Sequence, residues 1–464
     1  MAISPAPPDI DKSALTVQQA AVILIIGLVF GIGVLNEWGP LNGFFNFTKW
    51  KWPWQDLSPI QMGLALLAPF LLIAGVVRSA DRATSRVPMW FWLAALVVAS
   101  FCLQLFSVLA DPRGAERILQ IVSSPDATSY FADALSIQHL SDWLGHFDRA
   151  ALHGHAGTHP AGPIVFYYAF SQMFGKDVGA LLGGCAVGLL ASLGVVVMYH
   201  FAGLWTDDRR SRLLASAFYA LLPGLTVFFP ELDQVYPLFS MLLILTYVTA
   251  LNTAGKWYVH AAGFGAILFL ASFFAYNLLT IGAFLLYYSL WWLRNEGKTL
   301  ILLRTAAVSV SLAAALYLLL WATTGYNPPA ALRHAFALQQ GSAKVLARPY
   351  HVFVLTDLYD FALAAGIIAI PILGFRLAKL RDDFKANPTG TALTLIGLAT
   401  VLTVDFSGLL RGETARVWLF LQPLLVVPVA LELARVRWPW RISLLTMQWW
   451  LLVLIKSKMS FIEP

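Results

Sequence analysis

The sequence is dominated by apolar runs that recur from one end of the chain to the other, and this feature decides what it folds into. A helix needs about 20 apolar residues to cross the hydrocarbon core of a bilayer. Of the 464 residues 59% are hydrophobic and only 12% are charged, a balance outside the range of ordinary soluble domains. Alternating strands of about ten residues are absent, so we expect helices and not a barrel. The sequence predicts an all-α polytopic membrane protein.

The apolar runs predict about thirteen spanning helices. They begin near Val17, Pro59, Pro88, Val178, Arg212, Val235, Trp257, Leu278, Thr305, Phe361, Thr391, Val417 and Ile442. No fixed-period repeat and no low-complexity linker divides the chain, so we expect a single domain over residues 1–464. Residues 1–87 contribute two spans ahead of the first large loop.

Positive charge marks alternate connections between these spans. Its clusters are Arg78, Arg82 and Arg86; Arg209, Arg210 and Arg212; Arg294, Lys298 and Arg304; Arg376, Lys379, Arg381 and Lys385; and Arg435, Arg437 and Arg441. The positive-inside rule assigns such connections to the cytoplasmic side. Since the net charge of +6 comes mostly from these helix ends, we do not expect nucleic acid as a partner.

The remaining connections are predicted to face away from the cytoplasm. They include residues 36–58, 110–176 and 323–360. The first carries Trp38, Trp50, Trp52 and Trp54, which is typical of an anchor at the lipid headgroups. In the second, apolar residues recur at helical spacing over Ser129 to Leu152, and this predicts interfacial amphipathic helices on the membrane surface.

Ionisable side chains are concentrated in the second of these loops. It holds five of the nine histidines and six acids: His139, His146, His153, His155, His159, Asp111, Glu116, Asp126, Asp133, Asp142 and Asp148. Such enrichment favours a reaction or a binding site. The alternative is a loop that is polar because it is solvated. Asp126 follows Pro125 at the start of the predicted surface helix, where an N-cap also explains it.

Further motifs follow in a fixed order. Tyr130 comes four residues after Asp126, and Thr158-His159-Pro160-Ala161-Gly162-Pro163 leads into an aromatic run and then Phe174-Gly175. Phe229-Pro230-Glu231-Leu232-Asp233 opens a later helix, for which ordinary helix-start chemistry is the alternative. Arg411-Gly412-Glu413-Thr414-Ala415-Arg416 precedes a late apolar segment.

Together these segments resemble the polytopic GT-C glycosyltransferases, specifically the protein O-mannosyltransferase and lipid A aminoarabinose transferase group. The resemblance implies that Asp126 is the catalytic acid-base carboxylate, Tyr130 the motif tyrosine and His159 part of the substrate-side element. It also implies a polyprenyl-phosphate-linked sugar as donor and a glycan, lipid or protein as acceptor. Ala127 stands where many members have a second acid.

In this chemistry a base takes a proton from the acceptor, and cations stabilise the leaving phosphate. Glu231 and Asp233 are further candidate substrate-binding residues. The candidate cations are Lys344, Arg348, Arg411 and Arg416, and a snorkelling interfacial cation is the alternative for each.

A divalent or transition metal is a further candidate cofactor, since His153 and His155 have spacing that suits imidazole ligands. Solvated or substrate-contacting histidines are the alternative.

A polytopic secondary transporter or flippase is the competing function, because composition and span number fit it equally well. Asp405 is the one acid that the sequence places within a span. The predicted location is the cell membrane.

Overall fold

The computed structural model describes residues 15–43, 52–80, 87–127, 129–253, 255–345 and 348–462, with 80 and 341–345 described by their backbone only. Within these ranges the regular structure is helical, apart from an isolated antiparallel bridge between Trp54 and Met459. Among the described residues eight helices are long and apolar enough to cross a membrane, or nine if a bent helix pair is counted as one span. The all-α polytopic class predicted from the sequence is therefore confirmed.

The helices are bounded as follows: α1 Val17–Leu35, α2 Pro59–Ala80, α3 Met89–Leu109, α4 Glu116–Ser123, α5 Tyr130–Leu135, α6 Leu140–Gly145, α7 Gly162–Phe174, α8 Lys176–Ala202, α9 Arg209–Ala220, α10 Pro223–Val227, α11 Tyr236–Asn252, α12 Trp257–Phe274, α13 Gly282–Glu296, α14 Thr299–Thr324, α15 Pro328–Val345, α16 Tyr350–Ala365, α17 Ala369–Ala378, α18 Leu380–Ala386, α19 Pro388–Ser407, α20 Thr414–Val417, α21 Gln422–Arg435 and α22 Trp438–Lys458. Short 3-10 turns lie at Gly39–Asn42, Phe147–Arg149, Ala156–Thr158, Leu232–Val235, Tyr276–Ile281 and Leu419–Leu421.

Eight of the thirteen predicted spans coincide with helices of spanning length. The span predicted near Phe361 falls on the pair α16 and α17, which is bent by 104°. The other predicted starts fall on α9, α13 and α21, of 12, 15 and 14 residues, and on α22, which carries Arg441, Lys456 and Lys458. Shortness separates α9, α13 and α21 from the eight.

The helices form one bundle with two distinct ends. At one end Arg78 of α2 lies 4.7 Å over the ring of Trp438, and Asn387 donates to the Trp205 carbonyl at 2.7 Å. We call this the basic end, because the Arg- and Lys-rich connections meet there. At the other end α15 packs on the turn Ala156–Thr158 and α16 packs on α20. We call it the loop end.

The stretch from Ser129 to Leu152, for which interfacial amphipathic helices are predicted, is not one continuous helix. The chain instead makes α5, α6 and a 3-10 turn, broken between Ser136 and His139. Most of its apolar side chains pack on α7 and α14, whereas Leu135 is exposed. Tyr130 and Phe131 are 1% and 0% exposed.

The predicted interfacial anchor between α1 and α2 also differs from expectation. Trp52 is 4% exposed, and its indole N–H donates to Asp360 Oδ1 at 2.5 Å. The segment beside it pairs with the end of α22, where Gln55 N donates to the Lys458 carbonyl at 2.8 Å. Trp38 is half exposed, and Trp50 lies outside the described residues.

Candidate functional site

A buried arginine lies at the centre of the loop end. The guanidinium of Arg416 in α20 pairs with Glu231 Oε2 at 2.9 Å and with Glu413 Oε2 at 2.6 Å. The side chains of Arg416 and Glu231 are only 11% and 2% exposed. Two residues predicted from separate motifs, Glu231 and Arg416, are thus brought together across 185 positions of the chain. Charges removed from water must be paired in this way to persist.

The loop that carries Arg416 is held by two carboxylates of α16. Gly412 N donates to Asp357 Oδ1 at 2.9 Å, and Ala415 N donates to Asp360 Oδ2 at 3.1 Å. These bonds satisfy N–H groups around the start of α20, which a helix leaves unbonded. Gly412 has φ 76°, and a Cβ there would approach the Arg348 guanidinium to 2.9 Å. The loop therefore has one well-defined shape.

Arg348 extends this network towards the connection between α15 and α16. Its Nη2 donates to Glu413 Oε1 at 2.6 Å and its Nη1 to the Arg411 carbonyl at 2.6 Å. Arg411 Nη1 donates back to the Arg348 carbonyl at 2.9 Å. Both predicted cations therefore tie one loop to another, and Arg348 also shares a carboxylate with Arg416. The side chain of the third, Lys344, lies outside the described residues.

An aromatic layer covers the arginine network. The ring of Tyr130 lies 5.5 Å from that of His155 and 5.6 Å from that of His159, measured between centroids. The two imidazoles are 4.6 Å apart and partly exposed. On its other side Tyr130 interacts electrostatically with Asp233, Tyr236 and Arg416. The predicted residues Tyr130, His159, Asp233 and Arg416 therefore form one cluster with Glu231, which we call the Arg416 cluster.

Polar atoms in this cluster have unused bonding capacity. The Nε of Arg416 is buried and has no hydrogen-bond partner among the described residues, and the buried hydroxyls of Tyr130 and Tyr236 lie within hydrogen-bond reach of each other alone. The carboxylate of Asp233 is 4% exposed and lies near the charge of Arg416. Buried polar atoms in folded proteins are nearly always bonded. Their concentration here is what a site for a polar ligand requires.

Burial and neighbouring charges set the protonation of the cluster. Burial lowers the pKa of His159 to about 4, and burial with His159 and Arg416 nearby lowers the pKa of His155 well below its usual value. Burial raises the pKa of Glu231 to about 7, against the opposing effect of Arg416. Burial also raises the pKa of the Tyr130 phenol. At neutral pH the layer thus presents neutral imidazoles and a neutral phenol beside a guanidinium.

Asp126 lies apart from these contacts. It is exposed in the turn before α5, and its backbone N–H donates to Ser124 Oγ at 3.1 Å. The N-cap interpretation of Asp126 is wrong, because the residue at that position is Ser129, with φ 55°. Two bonds fix Ser129: its N–H donates to the Ser124 carbonyl, and its Oγ accepts from Ala156 N. The structure leaves the Asp126 carboxylate open to solvent.

The histidines considered as metal ligands take separate partners. His153 Nδ1 bonds Asp133 Oδ1 at 2.5 Å, whereas His155 faces His159 and Tyr130. Among the described residues no three His, Cys, Asp or Glu side chains are grouped to hold a metal ion. Asp133 fixes the turn that carries His153, since it also accepts from His153 N.

Sequence reasoning missed several residues of the site. Glu413 was visible between the two arginines of its motif and bonds both Arg348 and Arg416. The helices that carry Tyr236, Asp357 and Asp360 show no sequence pattern that indicates a functional role.

Comparison with known proteins adds no assignment, since no family model and no curated protein matches the chain.

Proposed function

We propose that this chain is a glycosyltransferase of the GT-C type, which moves a sugar from a polyprenyl phosphate to an acceptor at the cell membrane. The acceptor is a cell-envelope glycan, a lipid or a protein, and the loop end faces away from the cytoplasm. The observation that carries the proposal is the buried Arg416, whose Nε is unbonded in a cluster built from the residues of the resembling motifs.

Arg416 is the group that we assign to the donor phosphate. The leaving group of this reaction is a phosphate, so it needs a cation more than it needs a proton. Guanidinium hydrogen bonds to phosphate are charge-assisted and directional. Glu231 and Glu413 hold the guanidinium by its Nη atoms, which leaves Nε for the ligand.

Asp126 is the group that we assign to the acceptor. An acceptor arrives from the aqueous side, and an exposed carboxylate meets it there. As the acceptor oxygen forms its bond to the anomeric carbon, its proton passes to Asp126. The bond from the anomeric carbon to the phosphate oxygen breaks, and the electron pair leaves with the lipid phosphate. General base catalysis of this kind contributes about 10²–10⁴-fold to a rate.

The test compares two exposed acids of the same loop. Asp126→Asn and Asp142→Asn are purified in detergent, checked for equal thermal stability and supplied with a labelled polyprenyl-phosphate sugar. Asp142 is exposed in the first turn of α6 and serves as the matched control. We expect transfer to fall about 100-fold or more in Asp126→Asn and to stay near the parent rate in Asp142→Asn. Equal rates in the two variants would contradict the role of Asp126.

One observation favours a transporter as the second candidate. Asp405 lies in the span α19, is 2% exposed, and neither carboxylate oxygen has a hydrogen-bond partner among the described residues. Unpaired acids within spans are typical of ion and substrate pathways. A transporter predicts substrate counterflow in liposomes that Asp405→Asn abolishes, without any transfer product. The glycosyltransferase predicts product formation and no counterflow.

A further inference from the structure

The 3-10 turn Tyr276–Ile281 contacts the chain directly after Arg416, although it lies in none of the motifs. Helix α12 ends at Phe274, and Ala275 is extended with φ −158° and ψ 128° before the turn begins. Thr280 Oγ1 donates to the Asn277 carbonyl at 2.7 Å and so fixes the turn from within. The first two side chains of the turn, Tyr276 and Asn277, are half-buried at the loop end of the bundle.

Asn277 touches the residue that follows Arg416. Its Nδ2 donates to the Val417 carbonyl at 3.2 Å. A carbonyl accepts only from a donor, so this bond determines which way the amide points. The amide oxygen, Oδ1, is consequently directed away from Val417, and it is buried with no hydrogen-bond partner among the described residues. A buried acceptor left unbonded in this way is unfavourable unless a ligand or water donates to it.

Tyr276 connects the turn to the loop of His159. Its hydroxyl is buried and lies within hydrogen-bond reach of the Tyr326 hydroxyl, which in turn is within reach of the backbone of Ala161. The start of α7 is pressed against the end of α12, since a Cβ on Gly162 would meet the Phe273 carbonyl at 2.3 Å. Asn277 thus reaches the segment after Arg416, and Tyr276 reaches the segment after His159 through Tyr326. We call this pair of side chains the wall.

We propose that Tyr276 and Asn277 bind the hydroxyl-bearing ring of the donor beside the phosphate held by Arg416. The inference rests on the proposed function and names the part of the substrate that these two side chains bind. An unbonded amide oxygen repels a phosphate oxygen, and a lipid tail has no donor for it. A ring hydroxyl donates to Asn277 Oδ1 and bonds the Tyr276 hydroxyl, and the tyrosine ring packs on the apolar face of a sugar.

The test measures binding of two lipids to the full chain in detergent, one a polyprenyl phosphate and the other the same lipid carrying a sugar. We expect Asn277→Ala and Tyr276→Phe each to lower the affinity for the glycosylated lipid about tenfold, because each removes one buried hydrogen bond. Affinity for the bare lipid phosphate stays at the parent value. Arg416→Lys weakens both lipids.

Tyr317→Phe is the matched control, because the hydroxyl of Tyr317 is already bonded to Ser272 at 2.8 Å. This variant should not change the affinity for the glycosylated lipid relative to the affinity for the bare lipid phosphate. If Asn277→Ala weakens the binding of both lipids equally, the turn has only a structural role. If the affinity for both lipids is unchanged, the wall binds only water. Either result overturns the inference. A parent protein that binds neither lipid refutes the proposed function itself, and the inference with it.

Discussion

The two ends of the bundle both bury charged networks, but they use them differently. At the basic end Asp383 pairs with Arg435 at 2.7 Å and with Arg376 at 3.4 Å, and Lys379 pairs with Glu432 at 3.0 Å. These pairs join α17, α18 and α21. The atoms of Arg376 and Asp383 that lack hydrogen bonds face each other across that 3.4 Å gap, so the network closes on itself.

At the loop end the network does not close. Glu231 and Glu413 lie 2.9 and 2.6 Å from Arg416, yet the guanidinium Nε and the buried Asn277 Oδ1 have no hydrogen-bond partner among the described residues. A network that only joins helices gains nothing from unbonded atoms. The comparison indicates that the basic end holds the bundle together and the loop end keeps a place for a ligand.

Arginine-to-lysine exchange gives the strongest test of that distinction. In Arg416→Lys the ammonium does not reproduce the planar set of donors that meets Glu231, Glu413 and a ligand at once. We expect the transfer rate to fall about 100-fold or more, the scale for losing one preorganised charge donor. Arg435→Lys at the basic end should stay within about twofold of the parent. Similar rates for both variants would remove the distinction between the ends.

The second test changes the basic end and measures the stability of the protein. Asp383→Asn leaves Arg376 and Arg435 without their shared carboxylate, and breaking a buried ion pair costs about 3 kcal/mol. We expect a clearly lower Tm in detergent, with the transfer rate per folded molecule unchanged. An unaltered Tm combined with slow transfer would mean that the basic end serves the reaction.

Asp360→Asn tests whether α16 positions Arg416. Asp360 accepts from Trp52 Nε1 and from Ala415 N with different carboxylate oxygens, and an amide offers only one acceptor. The loop of Arg416 then shifts, and since Arg416 is assigned to the donor phosphate we expect kcat to fall and the donor KM to rise, by about tenfold in kcat/KM for one lost hydrogen bond. Trp52→Phe removes one of the two donors and should have a smaller effect. A fall in Tm with kcat unaltered would assign Asp360 to folding alone.

The sequence predicted the class of fold and most charges of the site, because both are recorded in composition and motif. Apolar runs predict spans regardless of neighbours, and Glu231 and Arg416 stand in recognisable motifs. What it did not predict depends on contacts between distant segments. Trp52 resembles any interfacial tryptophan until α16 supplies Asp360, and Asn277 is an ordinary loop residue until Val417 fixes its amide.

The smallest expected effect concerns pH. The pKa of His159 is lowered to about 4 by burial, against an ordinary value of about 6.5, so the folded state favours the neutral ring. The stability that depends on the neutral form is complete above pH 6.5 and is lost as pH falls towards 4. In His159→Asn the Tm should therefore decline less between pH 7 and 4.5 than in the parent. Arg435→Lys exchanges no group that titrates in this window, so its Tm should follow the parent curve. If the Tm of His159→Asn falls with pH as steeply as the Tm of the parent, the aromatic layer of the loop end has no part in the acid sensitivity of the fold.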